Sequence, residues 1–335
     1  MQILRRLKVP TGDILVVQGQ YGKLEMLSIG DYGKEINLKA DFMSLGRTPE
    51  PVRHGNLLPL EEKWVITIST QYGCSIWCQF CDVPRVGPGR NATYLDICDQ
   101  VATGISLHPE ISHTKRLNVH FARMGEPTFN FAVIDAAHRM KSELVDIEGW
   151  GFHPVVSTMM PRCNVGLAQF IDKWRIFKNE QCQGDAGLQL SINSTDEAER
   201  HAMFSGNAHT LQNIGTIMRG QAPQGRKWTL NFAVAGYQID PDKLLAAGLD
   251  PDRFVCKLTP MHKTAACLES GTSTDGDYTT HAPYREHEEA LKAAGYDVLV
   301  FIASREEDEG RITCGNAILS GTLPRWYEEM ELHPK

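Results

Sequence analysis

Short apolar runs alternate with longer amphipathic segments from Trp64 toward the end of the chain. Each run is rich in β-branched residues and is bounded by polar or glycine-containing text, which is typical of buried strands. The runs are WVITIST, LNVHF, HPVVST, GLQLSI, WTLNFAV, RFVCKLT and YDVLVFI. The segments between them have apolar residues at helical spacing and include TYLDICDQVATGISL, FAVIDAAHRMKSEL, GLAQFIDKW and YREHEEALKAAG. This alternation predicts a parallel sheet wrapped by helices.

The residues before Trp64 follow a different pattern. Residues 13–40 alternate apolar and polar positions around glycine-containing turns, which predicts a few short antiparallel strands. The text LGRTPEPVRHGNLLPLEE contains three prolines and predicts a connector. We therefore expect a β-rich extension with its connector at 1–60, an α/β domain at 61–322 and a C-terminal tail at 323–335.

Two α/β architectures fit this series, a partial (β/α)6 barrel and a flat doubly wound sheet, and strand number does not decide between them. In parallel α/β folds, ligands collect at the carboxyl ends of strands. The unusual residues of this chain follow strands: Cys74 to Cys81 follow the first and Gly125 to Asn130 follow the second. On this placement we predict the α/β class with a partial (β/α)6 barrel.

The composition is that of an ordinary globular protein. The 335 residues are 42% hydrophobic and 22% charged, as in soluble domains. The sequence has no apolar run of signal-peptide or transmembrane length, so we expect a cytoplasmic protein with no membrane partner, and a monomer. Nine cysteines, an odd number, favour metal or redox chemistry over a disulfide framework.

The charge distribution leaves the question of nucleic acid open. A net charge of −7 gives no global attraction to a phosphate backbone. Two short basic stretches, RLNVHFAR and QGRKW, could still bind one nucleotide. The alternative is that these residues belong to an ordinary solvated surface.

Three cysteines, Cys74, Cys78 and Cys81, lie close together in the spacing C-x3-C-x2-C after the first predicted strand. Structural zinc requires four ligands, usually in separated pairs, and no second C-x2-C pair follows. An iron–sulfur cluster held by three cysteines leaves one iron open for a small molecule with amine and carboxylate groups. A zinc site and buried structural cysteines are the alternatives to such a cluster.

This motif, with an aromatic residue directly before the last cysteine, resembles the radical S-adenosylmethionine (SAM) superfamily over about residues 60–320. The resemblance implies a [4Fe–4S] cluster whose open iron binds SAM. It also implies reductive cleavage of SAM to a 5'-deoxyadenosyl radical, with an electron from a donor such as flavodoxin or ferredoxin. In such a system the cofactor carries out the chemistry, and the protein positions the cofactor and excludes water from the site.

The text RMGEPTFN follows the second predicted strand and contains Gly125, Glu126 and Pro127. Glycine allows a close backbone approach and proline rigidifies the exit from a strand. The superfamily has a GGEP-like motif here that binds the amino group of SAM. We expect the same role for these three residues, and a glycine–proline turn with a solvated glutamate is the alternative.

Polar residues at the next strand ends complete the predicted SAM site. We expect Ser157, Ser191 and Asn193 to contact the ribose or carboxylate of SAM. We assign Thr195, which precedes Asp and Glu, to the cap of the following helix. His262 is either a contact to the adenine or substrate or a solvated loop residue.

Longer stretches resemble the RNA adenine methyltransferases RlmN and Cfr, namely CSIWCQFC, MGEPTFN, LSINSTDEAER and REEDEGRITCGNAI. In that family a C-terminal cysteine carries a methyl group taken from one SAM, and the resemblance assigns this role to Cys314. A second family cysteine, seven residues before the first cluster cysteine, acts as base and closes a disulfide. Here that position is Thr67, whose hydroxyl is too weakly acidic and not redox active.

The N-terminal region departs from the family too, because residues 1–60 predict strands and loop in place of a helical accessory domain. Two functions therefore stay open. The first is an RlmN/Cfr-like methyltransferase that acts on a nucleobase or similar heterocycle, with Cys314 as methyl carrier. The second is a radical SAM enzyme that abstracts hydrogen from a small metabolite, modified nucleobase or peptide without methyl transfer. Cys314 favours the first and Thr67 the second.

Overall fold

The computed structural model describes residues 1–45, 50–145, 150–272, 274 and 278–332. Parts of the predicted connector (46–49) and tail (333–335) lie outside them. The strands are β1 (Gln2–Val9), β2 (Gly12–Gly19), β3 (Gly22–Ile29), β4 (Leu38–Lys39), β5 (Trp64–Ile68), β6 (Gln71–Gly73), β7 (Pro88–Asn91), β8 (Thr114–Phe121), β9 (Trp150–Thr158), β10 (Gly187–Ser191), β11 (Trp228–Val234), β12 (Phe254–Pro260), β13 (Asp297–Phe301) and β14 (Glu328–Glu329).

The helices follow the strands in the predicted rhythm. They are α1 (Lys34–Asn37), α2 (Tyr94–Ser106), α3 (Ala132–Val145), α4 (Leu167–Ile176), α5 (Glu197–Met203), α6 (Leu211–Met218), α7 (Pro241–Ala246), α8 (Ala265–Ser270), α9 (Arg285–Ala293) and α10 (Arg305–Glu309). In the described part of the chain, no helix has both the length and the apolar character needed to cross a bilayer.

A run of parallel strands in the order β5, β8, β9, β10, β11, β12, β13 forms the core. Neighbours pair in parallel, for example Ile66 with Val119 and Leu230 with Cys256. Each of the six crossovers contains at least one helix, which confirms the predicted α/β class and its repeating βα units. Among the described residues β5 and β13 do not pair with each other, so the curved sheet is open.

The parallel strands pack their outer face against the helices, and several of them carry polar side chains on the inner face. On β8, Leu117, Val119 and Phe121 are fully buried in the apolar core, whereas His120 alternates with them and stays partly exposed. Successive side chains of a strand point to opposite faces of the sheet. The inner faces therefore line a lumen that water reaches, and the outer faces hold the helices.

Local polar contacts fix where α2 begins. The Thr93 hydroxyl accepts a hydrogen bond from the Asp96 backbone N–H at 3.1 Å, and the Asp96 carboxylate accepts one from the Thr93 N–H at 2.9 Å. This reciprocal capping box satisfies donors that the first helical turn leaves unpaired. Asp96 also accepts from the Tyr72 hydroxyl at 2.7 Å, which ties the helix to β6.

Antiparallel segments extend the sheet at both edges. Strands β1, β2 and β3 form a meander whose last strand pairs with β5, while β14 pairs with β1. At the other edge β4 pairs with β13, and Ile302 N–H donates to Asn37 O at 2.9 Å. Since β4 lies between β3 and β5 in sequence, the chain passes from one edge of the open barrel to the other and returns.

The buried carboxylate of Glu25 joins three parts of the molecule. It accepts hydrogen bonds from Arg123 Nε at 2.8 Å and from the backbone N–H groups of Ile318 and Leu319 at 3.1 Å each. Glu25 is fully buried and Arg123 is 3% exposed. One side chain therefore connects the N-terminal meander, the exit of β8 and the C-terminal segment.

We expect Glu25→Ala to destabilise the protein strongly. It leaves the Arg123 guanidinium buried without its carboxylate, and breaking a buried ion pair from one side costs about 3–5 kcal/mol. Urea denaturation should show a lower midpoint at an unchanged slope. Glu329→Ala removes an exposed partner of Arg5 and is the control. Equal midpoints for the two variants would contradict the role assigned to Glu25.

Candidate active site

The three cysteines of the predicted cluster lie on one loop at the carboxyl end of β5. The loop is held by the β6–β7 hairpin, because Cys74 N–H donates to Gly87 O at 3.1 Å. Within the loop, Cys81 N–H donates to Cys78 O at 3.1 Å. The motif therefore lies at the end of the first parallel strand, where the sequence placed it.

Burial opposes ionisation of these thiols in the metal-free chain. Burial raises the pKa of Cys74 to about 11, and the negative charge of Glu126 acts in the same direction. The pKa of Cys78 and that of Cys81 are raised by burial first and then by repulsion from neighbouring thiolates. Because only thiolates bind metal well, this donor set requires positive charge and suits an iron–sulfur cluster. Within the described residues, no three His, Cys, Asp or Glu side chains converge on one point.

Asp82 fixes the loop from its far side, a role that no motif or spacing in the sequence indicates. Its fully buried carboxylate accepts from the backbone N–H groups of Ala265 at 3.1 Å and Ala266 at 2.8 Å, at the start of α8. The Thr264 hydroxyl donates to Phe80 O at 2.8 Å. The cysteine loop is thereby held against the segment that follows β12.

Cys314 lies on a C-terminal loop that packs against the cysteine loop. Asp82 N–H donates to Gly315 O at 2.8 Å. Gly315 has a φ of 84°, a left-handed conformation that favours glycine, and a β-carbon there would lie 3.2 Å from Thr264 Cγ2. The Cys314 side chain is exposed, and its charge is within electrostatic reach of Cys81 and Lys257.

The Gly125–Pro127 segment lies beside the cysteine loop. Gly125 has a φ of 98°, and a β-carbon there would lie 2.6 Å from Gln71 Cβ. Glycine is therefore required at this position because the backbone passes close to Gln71 of the same chain, and not because a ligand approaches it. Pro127 begins a 3-10 turn that Glu126 caps, which fits the predicted rigid exit.

The Glu126 carboxylate is buried and already hydrogen-bonded. It accepts from the Thr128 hydroxyl at 2.7 Å and from the Met159 backbone N–H at 3.0 Å. Burial raises the pKa of Glu126, while hydrogen bonds from Thr158, Met159 and Thr128 act in the opposite direction. Carboxylate oxygens have further lone pairs, so binding an ammonium group stays a prediction for this residue.

The other predicted SAM contacts lie at the carboxyl ends of their strands. Ser157 and Ser191 are partly exposed on the lumen face of β9 and β10. Asn193 is buried in a left-handed turn at φ 59°, and its side-chain oxygen accepts from Ala233 N–H at 3.1 Å. The predicted cap Thr195 is wrong, because Asp196 caps α5 by accepting from Ala198 and Glu199 N–H. Thr195 instead donates to Gln238 O.

His262 is part of a polar network next to the Cys314 loop. Its Nδ1 lies 3.2 Å from Asp308 Oδ1. Asp308 also accepts from the Tyr278 hydroxyl at 2.8 Å and from the Thr313 hydroxyl at 3.0 Å. Burial raises the pKa of Asp308, but the hydrogen bond from His262 and its other donors outweigh burial and hold it well below the usual range. His262 is therefore oriented by a carboxylate rather than freely solvated.

Thr67, which occupies the position of the missing family cysteine, faces the lumen. Its register partner on β8 is His120. Burial lowers the pKa of His120 to about 3, and the positive charges of Lys257, Arg226, Lys63 and Arg116 add to this effect. A neutral imidazole therefore lies beside Thr67. The sequence did not predict that His120 lies beside Thr67. The alternation within LNVHF indicates which face of the strand carries His120, but it does not indicate which residue of the neighbouring strand lies next to it.

The raised thiol pKa values predict the order in which the cysteines of the metal-free chain are alkylated. With a pKa of about 11, only about one Cys74 thiol in a thousand is ionised at pH 8. We expect iodoacetamide to modify the exposed Cys163 and Cys314 first, and Cys74 only as the pH rises toward its pKa. Peptide mass spectrometry across pH 7–10 measures this order. Equal rates for Cys74 and Cys163 at neutral pH would contradict it.

Comparison with known proteins gives relatives in sequence and in fold. A probable RNA methyltransferase of Sorangium cellulosum is 28% identical over 53% of this chain and 42% of its own length. A dual-specificity RNA methyltransferase RlmN from the same organism is 26% identical over 77% of this chain and 62% of its own length. The chain thus spans about half the length of these relatives. No protein-family model matches it.

A solved structure shows the same fold. The crystal structure of a radical SAM methyltransferase from Sphaerobacter thermophilus superposes with a TM-score of 0.61. The match covers 91% of this chain and 76% of the other at 19% identity. The resemblance that the motifs suggested is confirmed: the chain has the fold of a radical SAM methyltransferase and a sequence similar to the RlmN methyltransferases.

Proposed function

We propose that this chain is a radical SAM methyltransferase of the RlmN and Cfr type, with Cys314 as the methyl carrier. One observation above all supports this assignment: the Asp82 N–H to Gly315 O hydrogen bond places the Cys314 loop against the cysteine loop. Two parts of the chain far apart in sequence thus bring a single exposed thiol beside the three thiols of the cluster motif.

The proposed cofactors are a [4Fe–4S] cluster held by Cys74, Cys78 and Cys81, and SAM. When bound, the cluster would supply the electron for reductive cleavage of SAM, received from a flavodoxin or ferredoxin. Gly125, Glu126 and Pro127 would orient the amino group of SAM. Ser157, Ser191, Asn193 and His262 are the further polar groups at the strand ends for its remaining parts.

The chain's own residues suit a methyl carrier better than they suit the family's proton acceptor. Cys314 is exposed, as a thiol that meets both SAM and an acceptor must be. Thr67 cannot act as base or form a disulfide. His120 is its register neighbour, but burial lowers its pKa to about 3, so this imidazole is too weak a base to replace the family's thiol.

The substrate we propose is a nucleobase or a similar heterocycle, free, in a nucleotide or in RNA. Support comes from two relatives that are named as RNA methyltransferases. The second candidate is hydrogen abstraction from a small metabolite, modified nucleobase or peptide without methyl transfer, which Thr67 favours because the family's release chemistry needs a thiol there.

The Cys314→Ala variant separates the two candidates. In the reconstituted enzyme we expect it to retain 5'-deoxyadenosine formation but to lose methylated product. Wild-type protein incubated with SAM should gain one methylene mass on the peptide that contains Cys314. The exposed Cys163→Ala variant is the matched control and should keep both activities. An unmodified Cys314 peptide in active wild-type enzyme would support hydrogen abstraction alone.

The Glu126→Gln variant tests the SAM site. The amide keeps the size of the side chain but loses the charge that attracts an ammonium group, and charge-assisted hydrogen bonds contribute about 1.5–3 kcal/mol. We expect SAM affinity to fall at least about tenfold with iron content unchanged, as measured by calorimetry and iron analysis. Glu143→Gln, on the exposed face of α3, is the control. Loss of iron with unchanged SAM affinity would contradict the assignment.

A further inference from the structure

The lumen of the open barrel contains positive charge that the proposed chemistry does not use. The cations are Lys34, Lys63, Arg116, Arg226 and Lys257, here called the lumen cations. The two basic stretches noted in the sequence contribute Arg116 and Arg226, which lie far apart along the chain. This charge contrasts with the net charge of −7 of the whole protein.

Strand geometry brings Lys63, Arg116 and Arg226 to the amino end of the barrel, while Lys257 lies midway along β12. Lys63 directly precedes β5, Arg116 lies near the start of β8, and Arg226 lies two residues before β11. Amino ends of parallel strands meet at the same edge of a sheet. A β-carbon at Gly187, on the lumen face of β10, would lie 3.4 Å from Arg226 Nη1, so this guanidinium lies over the lumen.

The lumen is open to water from this end inward. Along the strands, Thr67, His120, Gln189 and Lys257 keep partial exposure, although their outward-facing neighbours are fully buried in the core. Lys257 feels the charges of both Arg226 and Cys314.

Most of these cations lack an anionic partner. Within the described residues, Lys34, Arg116, Arg226 and Lys257 form no ion pair, and Arg116 Nε is buried without a hydrogen-bond partner. Lys257 Nζ has only Gln189 Oε1 at 3.5 Å and the Phe301 ring at 5.4 Å.

The nearby carboxylates are already engaged. Asp31 pairs with Lys63 at 2.7 Å, and Asp185 pairs with His153 at 2.5 Å. Glu307 caps α10 through the Ser304 N–H. Burial first, and then repulsion from Arg116, Lys63 and Arg226, lowers the pKa of Lys34. An anion in the lumen would relieve this repulsion.

We propose that the lumen cations bind the phosphate group of a small phosphorylated ligand, which enters the barrel through its amino-terminal opening. Guanidinium groups hold phosphate oxygens in pairs and are preferred at such sites. This inference rests on the proposed function in one respect: the ligand is taken to be the substrate, with its heterocycle directed toward Cys314. A concave site of this kind suits one phosphate better than a polynucleotide backbone, which needs an extended basic surface.

Calorimetry on the reconstituted full-length enzyme tests the proposal. We expect inorganic phosphate to bind, and ribose 5-phosphate to bind where ribose does not. Arg116→Gln and Arg226→Gln should each weaken ribose 5-phosphate binding at least about tenfold. Arg139→Gln, an exposed arginine on α3, is the matched control and should bind as wild type does. Equal affinities in all three variants would overturn the site.

A single-stranded RNA arm distinguishes the source of the phosphate. If RNA binds through Arg116 and Arg226 and ribose 5-phosphate does not, the small-ligand proposal is wrong.

Nuclear magnetic resonance of the wild-type protein tests the site even if the arginine variants do not fold. Added phosphate should shift the imidazole resonances of His120 but not those of His138 on α3. Absent shifts would count against the site. Formation of 5'-deoxyadenosine is measured separately. If the wild-type enzyme cleaves SAM but binds no phosphate, this site is refuted and the proposed function stands.

Discussion

The buried carboxylate of Asp82 is the contact on which the arrangement of the site depends. It accepts two backbone N–H groups at the start of α8, and the N–H of the same residue donates to Gly315. A fully buried carboxylate without these donors would cost several kcal/mol, so the cysteine loop, the segment after β12 and the Cys314 loop are held as one unit. This unit places the Cys314 loop against the loop that carries the three thiols that resist ionisation.

The two faces of the barrel sheet have different roles: the outer face packs against the helices, and the inner face is available to a ligand. Outward side chains such as Val119 and Phe121 are fully buried and apolar, and they hold the helices. Several inward side chains are polar or charged and partly exposed, as at His120 and Lys257, and Lys257 forms no ion pair with any residue that the structure describes. An interior that kept unpaired cations for stability alone would be unfavourable. The lumen is therefore better explained as a binding space than as a packed core.

Local patterns in the sequence predicted what depends on local spacing. The alternation of runs gave the parallel sheet, and the spacing of Cys74, Cys78 and Cys81 placed the motif at the end of β5. Contacts between distant segments carry no such signal. Asp82 looks like any loop aspartate, and Arg200 looks like any arginine on a helix surface, although it is 1% exposed and donates to Ile192 O. The cap of α5 moved by one residue from Thr195 to Asp196 because both can accept such bonds and only backbone geometry selects one.

The account stands on one claim, that the three thiols of the β5 loop hold an iron–sulfur cluster with an open iron. Electron paramagnetic resonance of the anaerobically prepared, dithionite-reduced protein measures this directly. The account predicts a reduced [4Fe–4S] signal that changes when SAM is added. A protein that contains zinc without iron and sulfide, or a cluster signal that SAM leaves unchanged, would contradict it.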